Sequence, residues 1–251
     1  MGKWHSIAAK KAAGDLEKAR NYSKIWKIIQ LAAKWWADPS MNPALELALQ
    51  KAKYYNLPRD VVDKAIKKWS GQLKSEDLKE VFYEWYGPGG VAILVKTLTD
   101  NTNRTSANIR TTFFKYWWNL WEPGSVAWQF IPKWVFVIDA KFEMINDKWN
   151  LVEKLIPLEK EQAEEELMDL DIDDIDYEDW NLVVVVDKTN FTSIWQQLKD
   201  KSYHIVDSAI HYLPDNTISL SWEEEQQLSI LIENLENDED VDSIFHNNKS
   251  N

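Results

Sequence analysis

The sequence contains no cysteine. That absence removes disulfide frameworks, thiolate metal sites, cysteine nucleophiles and thiol redox chemistry together. It has no apolar run approaching a membrane span, about 18 residues or more. Residues Met1 to Lys11 mix charges with small side chains and form no apolar leader core. A cytoplasmic location without membrane contact is the expectation. Glycine is scarce, 7 residues in 251, where ordinary usage gives about 18. No internal repeat or long low-complexity stretch occurs.

Tryptophan is abundant where glycine is missing, with 15 residues. Many stand where the pattern reads as a helix end or turn: Lys34-Trp35-Trp36-Ala37-Asp38-Pro39, Lys68-Trp69-Ser70-Gly71 and Tyr116-Trp117-Trp118-Asn119-Leu120-Trp121-Glu122-Pro123-Gly124. Glycine supplies positive φ at such places without steric cost. The formal net charge of −12 conceals a split. Residues 1–74 hold 15 Lys or Arg against 6 Asp or Glu, net +9, and the remainder holds 14 against 35, net −21. A basic head on an acidic body points the head at a polyanion and leaves the body soluble or free to meet a basic partner.

The periodicity is mixed. Ile25, Ile28, Ile29, Ala32 and Ala33 recur at helical spacing within 15–37. Asn42-Pro43 signals a second helix start, and Val61, Val62, Ala65 and Ile66 give a third helix its apolar face. After residue 78 the period becomes two: 79–86 and 91–98 read as a β-hairpin around Gly87-Pro88-Gly89-Gly90. Helices are expected at 103–116, 147–170, 191–201 and 223–235. Strands are expected at 126–130, 135–138, 182–187, 205–212 and 217–220. The acidic run 169–179 reads as a loop or edge, and the end as a polar tail. The class is α+β.

No catalytic set stands out. His5, His204, His211 and His246 lack metal-ligand spacing, and the acidic run lacks the glycine and spacing of a calcium loop. The Gly87–Gly90 segment lacks the lysine and following hydroxyl of a phosphate loop. A non-enzymatic protein without cofactor, metal or small-molecule substrate is expected. The candidate nucleic-acid-binding residues are basic: Lys3, His5, Lys10, Lys11, Lys18, Arg20, Lys24 and Lys27, then Lys64, Lys67 and Lys68 sharing one face of the third helix. Such side chains contact phosphate and suit DNA or ribosomal RNA equally. Asn101, Asn103 and Arg104 form a second candidate surface, with helix capping as the competing reading.

Several motifs occur in a fixed order: Lys3-Trp4-His5-Ser6, Asn42-Pro43, Leu57-Pro58-Arg59-Asp60 and Glu84-Trp85-Tyr86-Gly87-Pro88-Gly89-Gly90. They continue through Leu98-Thr99-Asp100-Asn101-Thr102-Asn103-Arg104-Thr105, Asn119-Leu120-Trp121-Glu122-Pro123-Gly124-Ser125-Val126-Ala127-Trp128, Tyr212-Leu213-Pro214 and Phe245-His246-Asn247. This series resembles the YebC/PmpR family almost end to end. The resemblance implies a three-domain fold round a cleft: a helical basic N-terminal domain at 1–77, a central mixed domain at 78–131 plus 206–251, and an inserted acidic mixed domain at 132–205. It implies a transcriptional regulatory protein that binds DNA. The family is also described as including ribosome-associated translation factors, among them mitochondrial translational activators, so the ribosome and its RNA are the alternative partner. The acidic body and the lack of an obvious base-reading set of Arg, Asn and Gln on one helix favour that alternative on mechanical grounds. A module docking a basic protein through the acidic body is the third class.

Against the family pattern, Trp4, Trp35, Trp36, Trp69, Trp85, Trp117, Trp118, Trp121, Trp134 and Trp222 stand at glycine positions, whereas Trp128 stands where tryptophan is expected. The resemblance therefore implies UGA codons that the source organism reads as glycine. The competing reading makes these aromatics base-stacking platforms beside lysines. If they are literal, strain at positive φ is the expectation.

Overall fold

The computed structural model describes residues 22–34, 38–69, 78–116, 125–147, 150–178 and 181–249. The chain divides into two compact units, residues 1–130 with 214–251, and residues 131–213.

The first unit begins with three helices: α1 over 22–33, α2 over Pro43–Tyr54 and α3 over Arg59–Trp69. The Asn42 side chain accepts from the Leu45 amide at 3.1 Å while Pro43 takes the first helical position, so α2 starts where the sequence signals it. The same Asn42 amide donates to the Ala32 carbonyl at 2.8 Å and ties α2 to the end of α1. Helix α2 stops in a left-handed cap: Asn56 has φ 54°, and the Leu57 and Asn56 amides donate to Ala52 and Lys53 carbonyls at 2.8 and 3.0 Å. Ile25, Ile29, Ala33, Leu45, Ala48, Ala52, Leu57 and Ala65 close the head core. The apolar stripe of α1 thus faces inward as its spacing requires.

The same unit holds an antiparallel sheet in the order β1 (Lys79–Tyr86), β2 (Ala92–Thr99), β8 (Val241–His246). Trp85 pairs with Ile93 and Tyr83 with Val95, so all four side chains share a face. Helices α4 (Thr102–Tyr116) and α7 (Trp222–Glu236) cover that face with Ile109, Phe113, Leu228, Leu231 and Leu235. Helix α7 starts in a capping box between Ser221 and Glu224. At the hairpin tip Gly89 and Gly90 have φ of 58° and 80°, and a Cβ on Gly89 would lie 2.6 Å from Leu220 Cδ2. The positive φ favours glycine at both positions, and at Gly89 a side chain would also have to displace the Leu220 side chain.

The second unit is a five-stranded sheet in which β4 (Asn150–Pro157), β3 (Phe130–Asp147), β6 (Asn181–Asp187) and β5 (Asp174–Glu178) lie in that order, and β7 (Tyr203–Pro214) also pairs with β3. Alternation in β6 buries Leu182, Val184 and Val186. Helices α5 (Lys160–Leu167) and α6 (Phe191–Asp200) supply Ala163, Leu167, Ile194, Trp195 and Leu198 as buried residues.

Four expectations need correction. The segment read as one helix at 147–170 is strand β4 followed by the short α5; Val152, Leu155 and Ile156 mimic a helical stripe, but β3 pairs with the segment in register from Asp147↔Asn150 to Ala140↔Pro157. The strand expected at 126–130 is a 3-10 turn, Ala127–Gln129, running into the 18-residue β3, which contains the strand expected at 135–138. The strand expected at 217–220 is a single bridge, Ile218 to Asn248. The polar tail contains β8. The acidic run does include an edge, β5.

Of the tryptophans at glycine positions, Trp4, Trp35, Trp36, Trp117, Trp118 and Trp121 lie outside the described residues. Among the described residues the only non-glycine positive φ values belong to Asn56 and Ser202, so Trp69, Trp85, Trp134 and Trp222 carry no left-handed strain. Trp85 stacks on Phe113 at 4.4 Å between ring centroids, and Trp134 stacks on Phe191 at 4.0 Å.

Candidate nucleic-acid interface

Helix α3 presents charge because its apolar residues, Val61, Val62, Ala65 and Ile66, turn to the head core. Lys64 and Lys67 are exposed on the remaining surface, with Lys68 half-buried beside them. Lys64 makes one long contact, 3.7 Å to Asp60 one turn earlier, between two largely exposed side chains. Such a pair is weak and readily exchanged for phosphate. The Lys68 ammonium sits 4.8 Å from the centroid of the Trp26 ring, which fixes its stem against α1. Lys24 is half-buried on α1. Lys3, His5, Lys10, Lys11, Lys18 and Arg20 lie outside the described residues.

Lys27 faces inward. Its ammonium donates to the Glu239 carbonyl at 2.7 Å and to Asp240 Oδ1 at 2.8 Å, with only 12% of its side chain and 5% of the Asp240 side chain exposed. Asp240 also accepts from Arg104 at 2.7 Å, Thr105 at 2.8 Å and Thr99 at 3.1 Å. Burial pushes the Asp240 carboxyl up, but hydrogen bonds from Lys27, Arg104 and Thr105 and the charge of Lys27 outweigh it and hold the group at about 2. One carboxylate therefore joins α1 of the head to the turn that starts α4.

The second candidate surface resolves into capping and ion pairing. Asn101 Oδ1 accepts from the Arg104 amide at 3.1 Å, and the Arg104 guanidinium bridges Asp100 at 2.8 Å and Asp240. Asn103 is exposed on the first turn of α4. Beside this network lies a cleft of about 590 Å³, lined by Trp26, Lys68 and Asn108 among others, and by Asp238 and Glu239. Its charge is mixed, so it does not select an anion. Among the described residues no group of three His, Cys, Asp or Glu is placed to hold a metal ion, and no helix is long and apolar enough to cross a membrane.

Asp240 escaped the sequence reading. It sits in an acidic stretch, Asn237-Asp238-Glu239-Asp240, that resembles a solvated tail, and its partners lie far away in sequence. The ion pairs of Lys96 with Glu80 at 3.2 Å and Asp242 at 3.3 Å across the sheet were hidden for the same reason.

A helical head, in which Lys64 and Lys67 are exposed on α3, is followed by a mixed α/β body. Two family models match the chain: the TACO1/YebC protein N-terminal domain over residues 2–72, and the TACO1/YebC second and third domain over residues 78–248. This chain belongs to the TACO1/YebC family. A probable transcriptional regulatory protein of Treponema denticola is 36% identical over 98% of this chain and 94% of its own length. Another of Caldanaerobacter subterraneus is 37% identical over 98% of this chain and 96% of its own. In structure, a conserved hypothetical protein from Aquifex aeolicus superposes with a TM-score of 0.80 at 27% identity, over 93% of this chain and 90% of that one.

Proposed function

We propose that this chain is a non-enzymatic, cytoplasmic transcriptional regulator that binds DNA through its basic head, residues 1–77. The observation that carries this reading is the exposure of Lys64 and Lys67 on one face of α3 within a segment, residues 1–74, of net charge +9. The relatives' shared name, probable transcriptional regulatory protein, supports it. Lysine contacts to phosphate give affinity with little sequence information, so target choice falls to other groups or to DNA shape.

Duplex binding measured across a salt series tests the reading. Charge reversal of Lys64 and Lys67, with Lys10 and Lys11 reversed in a second variant, is expected to weaken binding. Each lost phosphate contact should make the log–log salt slope shallower by about 0.9. Wild-type affinity and slope in both variants would reject the head as the contact surface.

A further inference from the structure

Lys27 carries the chemistry of the head's basic surface, yet an anion of the chain itself holds it inward. The two oxygens of that anion, Asp240, have separate partners. Oδ2 accepts from Thr99 in β2 and from Arg104 and Thr105 in α4, at 3.1, 2.7 and 2.8 Å. Oδ1 accepts from Lys27 at 2.8 Å. The Asp240 amide donates to Asp238 Oδ1 at 2.9 Å, and its carbonyl accepts from the Leu98 amide at 2.8 Å. The socket is therefore fixed from the side of the sheet and turns one oxygen to the head.

The apolar cores do not reinforce this contact. The head core is built from residues 22–66 and the core on the three-stranded sheet from residues 83–244, so the two close separately. The cleft of about 590 Å³ lies beside the contact, lined from the head by Trp26, Gln30 and Lys68 and from the other side by Asp238 and Glu239. A polar junction of this kind resembles a transient interface and permits motion. Lys68 stands one turn beyond the exposed Lys64 on α3, so the basic face of that helix leads to three successive carboxylates, Asp238, Glu239 and Asp240. Exchanging carboxylate for phosphate keeps the Lys27 ammonium paired, whereas taking the anion away with nothing in its place breaks a buried pair at high cost. A polyanion therefore opens the contact and a neutral ligand does not.

We propose that the Asp238-Glu239-Asp240 stretch is an autoinhibitory stand-in for phosphate, which keeps Lys27 and the head docked until a polyanion takes the place of the Asp240 carboxylate. The inference rests on the nucleic-acid reading above and adds a switch to it: the undocked head binds with Lys27 as well as Lys64 and Lys67.

Two measurements on the full chain test it. In duplex binding across a salt series, K27M is expected to make the log–log slope shallower by about 0.9, the loss of one phosphate contact, although Lys27 faces inward in the free protein. D240N should bind about fivefold tighter or more, the gain from releasing a latch, and E233Q, with the same charge change on the exposed side of α7, should bind more weakly than D240N. The second measurement is energy transfer between dyes on Met41→Cys and Ser229→Cys, both exposed positions of this cysteine-free chain. Transfer should fall when duplex is added to the otherwise wild-type protein, and should already be low in free D240N. A wild-type slope in K27M, or transfer that duplex leaves unchanged, would overturn the latch. If no variant binds duplex, low transfer in free D240N would leave the clasp standing and reject the nucleic-acid reading, and wild-type transfer there would reject the clasp as well.

Discussion

Lys27, on the first described helix of the head, lies 2.8 Å from Asp240, which precedes the last strand of the central sheet 213 residues later. The pair is asymmetric. Asp240 has Arg104, Thr105 and Thr99 as further donors, while the Lys27 ammonium has the Glu239 carbonyl besides. Removing the acid strands a mostly buried ammonium, which costs about 3 kcal/mol. Removing the lysine leaves a carboxylate that still accepts three hydrogen bonds, and costs about 1 kcal/mol. D240N is therefore expected to destabilise more than K27M in urea unfolding. The reverse order would show that Lys27 finds other solvation in D240N.

The same carboxylate sets an acid limit. Its pKa in the folded protein is about 2, against an ordinary 3.8. A depressed carboxylate contributes stability that is fully present above the unfolded pKa and lost as pH falls through the folded value. The stability difference between wild type and D240N should hold above pH about 4 and shrink toward pH about 2. Taking the difference cancels the background from other acids, including Asp187, which Thr189 and Lys133 also hold at about 2. A difference constant over that range would mean that Asp240 is not the titrating group.

What the sequence disclosed and what it hid divide by range. The head was legible because its signals are local: Asn42 and Pro43 start α2, and the stripe of Ile25 and Ile29 marks the inward side of α1. Helix α4 and the glycine hairpin were legible for the same reason. Strand β4 was not, because its identity as strand rather than helix is decided by pairing with β3 and not by its own residues. Strand β8 was hidden behind Asp238, Glu239 and Asp240, which read as a solvated tail until one of them is seen buried. The candidate surface suffered likewise. Lys27 carries the same chemistry as Lys64, and only the fold turns one inward and leaves the other in solvent.

Glu84 offers a sharp local test. One oxygen accepts from two successive amides, Val126 and Ala127, in the turn that carries Trp128. E84A removes both acceptors and is expected to cost about 1–2 kcal/mol. E84Q keeps a carbonyl oxygen in the same place and should cost much less. Amide exchange at Val126 and Ala127 should quicken in E84A and stay near wild type in E84Q. Equal exchange in all three proteins would show that the turn is held without Glu84.

Trp85 connects the unusual composition to the core. It is 5% exposed, stacks on Phe113 with the rings 10° from parallel, and meets Phe114 edge-on at 6.4 Å. In a chain made with tryptophan at this position the ring fills the space between β1 and α4, and W85A is expected to cost about 3–5 kcal/mol through the cavity it leaves. The family pattern nevertheless has glycine here and at Trp35, Trp36 and Trp117. We expect UGA at these codons, and glycine in the corresponding peptides of protein taken from the source cells. In that protein Phe113 has no indole to stack on, so a recombinant chain with glycine at position 85 alone should show the W85A loss or more. UGG at Trp35, Trp36, Trp85 and Trp117 would make those tryptophans literal. The stack on Phe113 would then be a native feature of the core, and the glycine deficit a property of this sequence.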